Sequence, residues 1–144
     1  MYFREKALEK IRYMRLSLSY LESKRGVKLE ELISNYELRS AIERNLHVAI
    51  ESALALGEMI ISELGGEPPE TNKEVFIRLG ELGVIPSNFA ERLAPLAGLR
   101  NILVHQYNRV DPQKILEFLP RIIRDLRDYI GYVMNFLSES SDEG

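Results

Sequence analysis

The chain has 144 residues, 45% of them apolar and 28% charged, with a formal net charge of −3; this suits one domain over residues 1–144 around a single core. It has no cysteine, which excludes disulfides, thiolate metal sites and cysteine nucleophiles together. The acidic balance argues against a broadly basic nucleic-acid surface, although one arginine-lined cleft can hold phosphate on an acidic protein.

No run of apolar residues approaches the roughly 18 that a membrane span needs. The opening Met1-Tyr2-Phe3-Arg4-Glu5-Lys6 lacks the basic-then-apolar layout of a secretory signal. A cytoplasmic location without membrane attachment is expected.

The periodicity predicts an all-α protein of about five helices in an up-and-down bundle. The first helix carries Ala7, Ile11, Met14, Leu18 and Leu21 on one stripe and stops near Lys24-Arg25-Gly26, with glycine at its C-terminal end. A short helical turn around Leu29 to Ile33 leads into the longest segment, about Tyr36 to Leu64. One stripe there is Ile42, Leu46, Ala49, Ala53, Leu56 and Ile60, and a second is Ile50, Leu54, Gly57 and Ile61. Two apolar stripes place this helix centrally, or share it between the core and a subunit interface. Its polar strip, Arg44, His47, Glu51 and Glu58, reads first as a solvated face.

Thr71 to Glu74 reads as a capping box opening a short helix with Phe76 and Leu79, closed by Gly83. Ser87 is the expected N-cap of the next helix, which carries Phe89, Leu93, Leu96, Leu99 and Leu103, with a kink expected at Pro95. Asp111-Pro112 places a capping acid before a proline at the first helical position. The last helix carries Ile115, Leu119, Ile122, Leu126, Tyr129, Val133 and Phe136, bent but unbroken at Pro120. Arg121, Arg124 and Arg127 form a cluster that could meet phosphates, but Asp125 and Asp128 are interleaved with them, which favours a plain solvent face. A frayed polar tail is expected from Ser138 to Gly144.

The chemistry-bearing residues gather at the end of the Leu103 helix. Arg100, Asn101, His105 and Tyr107 fall within eight residues. Asn101 and His105 share a helix face, whereas Arg100 and His105 diverge by roughly 140° on a continuous helix and would line two sides of a cleft. A histidine here can also do no more than cap the last carbonyls, and the residue chemistry alone leaves both readings open. The only histidines, His47 and His105, are far apart in the chain, and neither is expected to have a second ligand at the usual helical spacing. No metal site and no cofactor are expected.

Arg100-Asn101-Ile102-Leu103-Val104-His105-Gln106-Tyr107 resembles the Arg-x4-His-x-Tyr signature of HepT toxins, a branch of the HEPN superfamily. Arg39 to Arg44 with Val48 to Glu51 resembles that family's long second helix, and Glu81 to Pro86 its characteristic turn. The similarity spans roughly residues 36 to 137; Pro95 and Asn108-Arg109 depart from the pattern without touching the signature. The resemblance implies a dimerising five-helix bundle that cleaves RNA without a metal. Its implied partner is an antitoxin of the minimal nucleotidyltransferase (MNT) type, which silences the toxin by attaching AMP to the motif tyrosine, here Tyr107. It also brings the second helix towards the motif, leaving His47 and Glu51 as further candidates.

On this reading His105 transfers protons and Arg100 stabilises charge on the phosphate. Asn101 orients the imidazole or holds a phosphate oxygen, and Tyr107 contacts RNA by stacking or through its hydroxyl. One histidine per chain does not readily serve as both base and acid, so a homodimer with a shared cleft is expected, as the excess apolar surface of the second helix also suggests. The competing reading is a non-catalytic helical module that binds a nucleotide or the partner.

Overall fold

The computed structural model describes the backbone of residues 2–104 and 111–142 and, within these, the side chains of 2–100 and 111–139. Among the described residues there are seven helices and no strand: α1 (Tyr2–Ser23), α2 (Leu29–Ser34), α3 (Tyr36–Glu63), α4 (Asn72–Glu81), α5 (Ser87–Leu93), α6 (Leu96–Val104) and α7 (Pro112–Asp142). The expected short turn is α2, and the expected fourth helix is divided into α5 and α6.

Helix α3 is the axis of the bundle, with α1, α2, α4 and α6 packed against it, while α7 lies against α1 and α2. The α1 stripe is fully buried, as are Ile115, Leu119, Ile122, Leu126, Tyr129 and Val133 of α7. Phe136 is only partly covered, and Leu137 takes the buried place beside it. Both apolar stripes of α3 are buried within this one chain. The second stripe therefore leaves no apolar excess for a subunit interface, and that reason for expecting a dimer falls away.

Close packing on the second stripe depends on Gly57. A Cβ there would stand 2.5 Å from Val75 Cγ1, 3.1 Å from Leu79 Cδ1 and 3.3 Å from the Tyr129 hydroxyl. That hydroxyl donates to the Ala53 carbonyl at 2.8 Å, and the Tyr129 ring meets Phe76 edge-on. With no water to solvate a phenolate, burial pushes the Tyr129 pKa far above its ordinary value.

Most helix ends follow the local chemistry. Thr71 caps α4 by accepting from Glu74 N, but the Glu74 carboxylate accepts from Glu70 N rather than Thr71 N, so the capping box is displaced by one residue. Gly83, at φ 80°, closes α4 with Val84 N donating to Leu79 O; Gly65, at φ 76°, closes α3 in the same way. Gly26 does not adopt that conformation, and α1 ends at Ser23 in a short hydrogen-bonded turn. Asp111 caps α7 through Gln113 N at 3.0 Å, with Pro112 as first residue.

Three further expectations are corrected. Ser87 is the first residue of α5 rather than its N-cap, because Pro86 already holds the extended cap conformation. Pro95 breaks the helix instead of kinking it: the ring has no N–H to continue the ladder, and Ala97 and Gly98 donate three residues back, to Ala94 O and Pro95 O. The tail expected from Ser138 to Gly144 is helical as far as Asp142, where α7 ends, and its last two residues lie outside the described residues; neither glycine nor proline interrupts Ser138 to Asp142, and Arg4 Nη1 of α1 donates to Leu137 O at 2.9 Å. Pro120 sits inside α7 without dividing it, as expected.

Candidate active site

The break at Pro95 starts α6 afresh against α3, and Arg100 meets the polar strip of that long helix. Arg100 Nε donates to Glu51 Oε2 at 2.7 Å and Nη2 donates to Oε1 at 3.4 Å, a side-on pair. One turn earlier on α3, His47 Nε2 stands 3.8 Å from the same Oε2. The strip read as a solvated face is thus partly built into an inter-helix contact: Arg100 and Glu51 are 29% and 46% exposed along their side chains. Arg44 and Glu58 remain exposed.

The electrostatics follow from this geometry. The hydrogen bond from Arg100 holds the Glu51 carboxyl below its ordinary pKa; burial opposes the shift, and the charges of Arg100 and His47 add to it. The same hydrogen bond raises the Arg100 pKa, against burial, with help from the Glu51 and Glu58 charges. A guanidinium in this position is a permanent cation with its plane fixed by a carboxylate.

Of the sequence-predicted residues, Arg100 is placed and partnered. His105, Tyr107 and the side chain of Asn101 lie outside the described residues. His47 and Glu51 join Arg100, which their position on a polar strip hinted at but did not establish. The expectation that His47 has no second ligand at helical spacing is corrected, since Glu51 stands four residues on with Oε2 3.8 Å from Nε2, but its carboxylate is taken by Arg100. No group of three or more His, Cys, Asp or Glu able to hold a metal ion occurs among the described residues.

The fold is that of HEPN proteins. The chain superposes on a tri-AMPylated Shewanella oneidensis HEPN toxin in complex with MNT antitoxin, with a TM-score of 0.79 over 90% of this chain and 96% of that one, at 17% identity. The sequence narrows the class. The family described as "Ribonuclease HepT-like" matches residues 5–133. A tRNA nuclease HepT of Aphanizomenon flos-aquae is 30% identical over 88% of this chain and 86% of its own length. An RNase candidate of Archaeoglobus fulgidus is 35% identical over 94% of this chain and 96% of its own. The chain belongs to the HepT-like ribonuclease family. No described helix is long and apolar enough to cross a membrane.

Proposed function

We propose that the chain is the toxin of a cytoplasmic toxin–antitoxin pair, a metal-independent RNA endonuclease silenced when an MNT-type nucleotidyltransferase attaches AMP to Tyr107. One juxtaposition carries this reading: the signature arginine, Arg100, is held from α3 by Glu51 in a chain of a ribonuclease family. The ribose 2′-OH attacks the adjacent phosphorus, forming the O2′–P bond as the P–O5′ bond breaks. The products are a 2′,3′-cyclic phosphate and a 5′-hydroxyl. Arg100 stabilises charge on the non-bridging oxygens. His105 takes the 2′-OH proton or protonates the leaving oxygen, while Asn101 and Tyr107 orient the imidazole and the RNA.

The base and the acid are one His105 from each subunit of a homodimer. The need for two proton-transfer groups and the family resemblance argue for the dimer, and the second apolar stripe no longer does, since α3 is covered within one chain. Mixing His105→Ala subunits with wild type should lower activity more than dilution alone predicts.

The relative from Aphanizomenon flos-aquae is named a tRNA nuclease, so transfer RNA is the first substrate to test. Cleavage should persist in EDTA and leave cyclic phosphate ends. His105→Ala and Arg100→Ala should each lose about 10²-fold or more while remaining folded. Activity abolished by EDTA and restored by Mg²⁺ overturns the metal-free mechanism. RNA that is bound but left intact by wild type favours the non-catalytic module.

A further inference from the structure

Two arginines of α7 and one of α5 converge on a carboxylate that does not face solvent. Asp125 is 2% exposed. Arg92 Nε of α5 and Arg124 Nε approach its Oδ1 at 3.4 and 3.6 Å, and Arg121 Nε approaches Oδ2 at 3.7 Å. Oδ1 is buried and receives no hydrogen bond of proper geometry among the described residues. The three arginine side chains stay 44%, 64% and 52% exposed, in the same order. One buried negative charge thus restrains three positive ones; Arg92 also approaches the exposed Asp128 at 3.9 Å, whereas Arg121 and Arg124 keep more than half of their side chains exposed.

Arg121 and Arg124 also line, with Arg127 of α7 and Arg25 beyond the end of α1, a groove of about 690 Å³. Its acidic members are Glu22 and Glu117, and Glu22 is paired with Arg25 at 3.0 Å. Four guanidiniums against these two carboxylates and the buried Asp125 leave the groove locally positive on a chain whose net charge is −3.

We infer that this groove binds the phosphate backbone of RNA, as a surface separate from the Arg100–Glu51 pair. The inference rests on the ribonuclease reading for the identity of its ligand. Arginines at intervals of three residues step ~4.5 Å along the helix, offering a row of cations to a row of phosphates. Guanidinium forks suit phosphate oxygens, and their restraint by Asp125 lowers the ordering cost of binding. An acidic protein segment fits less well, because the groove presents no exposed large apolar side chain to anchor it; Ile123 in its lining is 3% exposed. In the chain, Arg121 lies nine residues into α7, ~14 Å along the axis from Pro112, so a strand held here can run towards the start of the helix that follows the signature.

The test uses the full chain and a fluorescein-labelled 2′-O-methyl RNA, which lacks the nucleophile and is not consumed. Anisotropy titrations over a range of salt give the affinity and its salt slope. Arg127→Gln, which leaves the Asp125 cluster intact, should weaken binding severalfold and reduce the slope by about 0.7, the value for one phosphate contact on a single strand. The Arg121→Gln/Arg124→Gln pair should weaken it by about tenfold or more and reduce the slope by about twice that amount. Because that pair leaves Asp125 under-compensated, its fold is checked by thermal melting, and Arg25→Gln replaces it if it unfolds.

Unchanged slopes in Arg127→Gln and Arg25→Gln overturn the groove, as does a wild-type chain that fails to bind the oligonucleotide. Loss of antitoxin binding in these variants with RNA affinity intact overturns it too. If wild type cleaves unmodified RNA but the slopes do not move, the groove falls and the ribonuclease reading stands. If the slopes move but wild type leaves RNA intact, the groove stands and the ribonuclease reading falls.

Discussion

Glu51 and Arg100, 49 residues apart in the chain, meet side-on across the α3–α6 contact, with Nε to Oε2 at 2.7 Å and Nη2 to Oε1 at 3.4 Å. The carboxylate sets the plane of the guanidinium and neutralises part of its charge. Glu51 is therefore a positioning residue for the proposed phosphate-stabilising cation.

Glu51→Gln should keep the shape and lose the charge. The amide offers one acceptor where the carboxylate offers two, so the guanidinium loses its fork. Turnover on transfer RNA should fall by about tenfold, with KM changed far less and the fold retained. An equal rise in KM with kcat untouched would instead assign Glu51 to substrate binding.

The pair also predicts a pH effect on stability. The folded-state pKa of Glu51 is lowered, mainly by the Arg100 hydrogen bond. Its contribution is therefore complete above the ordinary carboxylate value and is lost as pH falls through the lowered folded value. Both side chains are partly exposed, so the effect is at most about 1 kcal/mol and shrinks with salt. The difference in Tm between wild type and Glu51→Gln should close on acidification below the ordinary carboxylate range.

Gly57→Ala tests the centre of the bundle. Its Cβ would stand 2.5 Å from Val75 Cγ1, and a β-branched valine cannot swing away cheaply. Overpacking of this kind costs about 1–3 kcal/mol, at about 2–4 °C of Tm per kcal/mol for a chain of this size. Differential scanning calorimetry reads the loss directly. Tyr129→Phe, which removes the hydroxyl bonded to Ala53 O, should cost about 1 kcal/mol.

The helix ends were legible wherever one residue decides them: Thr71, Gly83, Asp111 and Pro112 act through their own backbone or side chain. Pro95 was legible as a fault but not as a full break, because continuity there depends on how α5 and α6 each pack. The coverage of α3 was not legible, since a second apolar stripe looks alike whether α4 or another subunit covers it. Glu51 carried no local sign of its partner on another helix. Asp125 did carry one: it stands three residues after Ile122 and four before Tyr129, inside the apolar arc of α7, although the interleaved arginines suggested a solvent face. At the site, the sequence supplied Arg100 and the structure supplied its holder, while His105 and Tyr107 still rest on the spacing of the signature.

The regulatory prediction concerns Tyr107. One adenylyl group adds a nucleoside and a phosphodiester charge of about −1 near the signature arginine in the chain. The phosphate would compete with RNA for Arg100, and inhibition would need no unfolding. Incubation with the cognate nucleotidyltransferase and ATP should add AMP mass to wild type, seen by intact mass spectrometry. Tyr107→Phe should gain none and keep cleaving RNA. Silencing of that variant without added mass would mean that the partner inhibits by covering the site.

After Ala94-Pro95 the chain re-enters a helix through two short hydrogen bonds, Ala97 N to Ala94 O and Gly98 N to Pro95 O. Along a continuous helix each added residue rotates everything after it by about 100°. A residue inserted between Leu96 and Arg100 would therefore swing the guanidinium off α3. The facing of Arg100 and Glu51 thus depends on the length of the short stretch between the proline and the arginine.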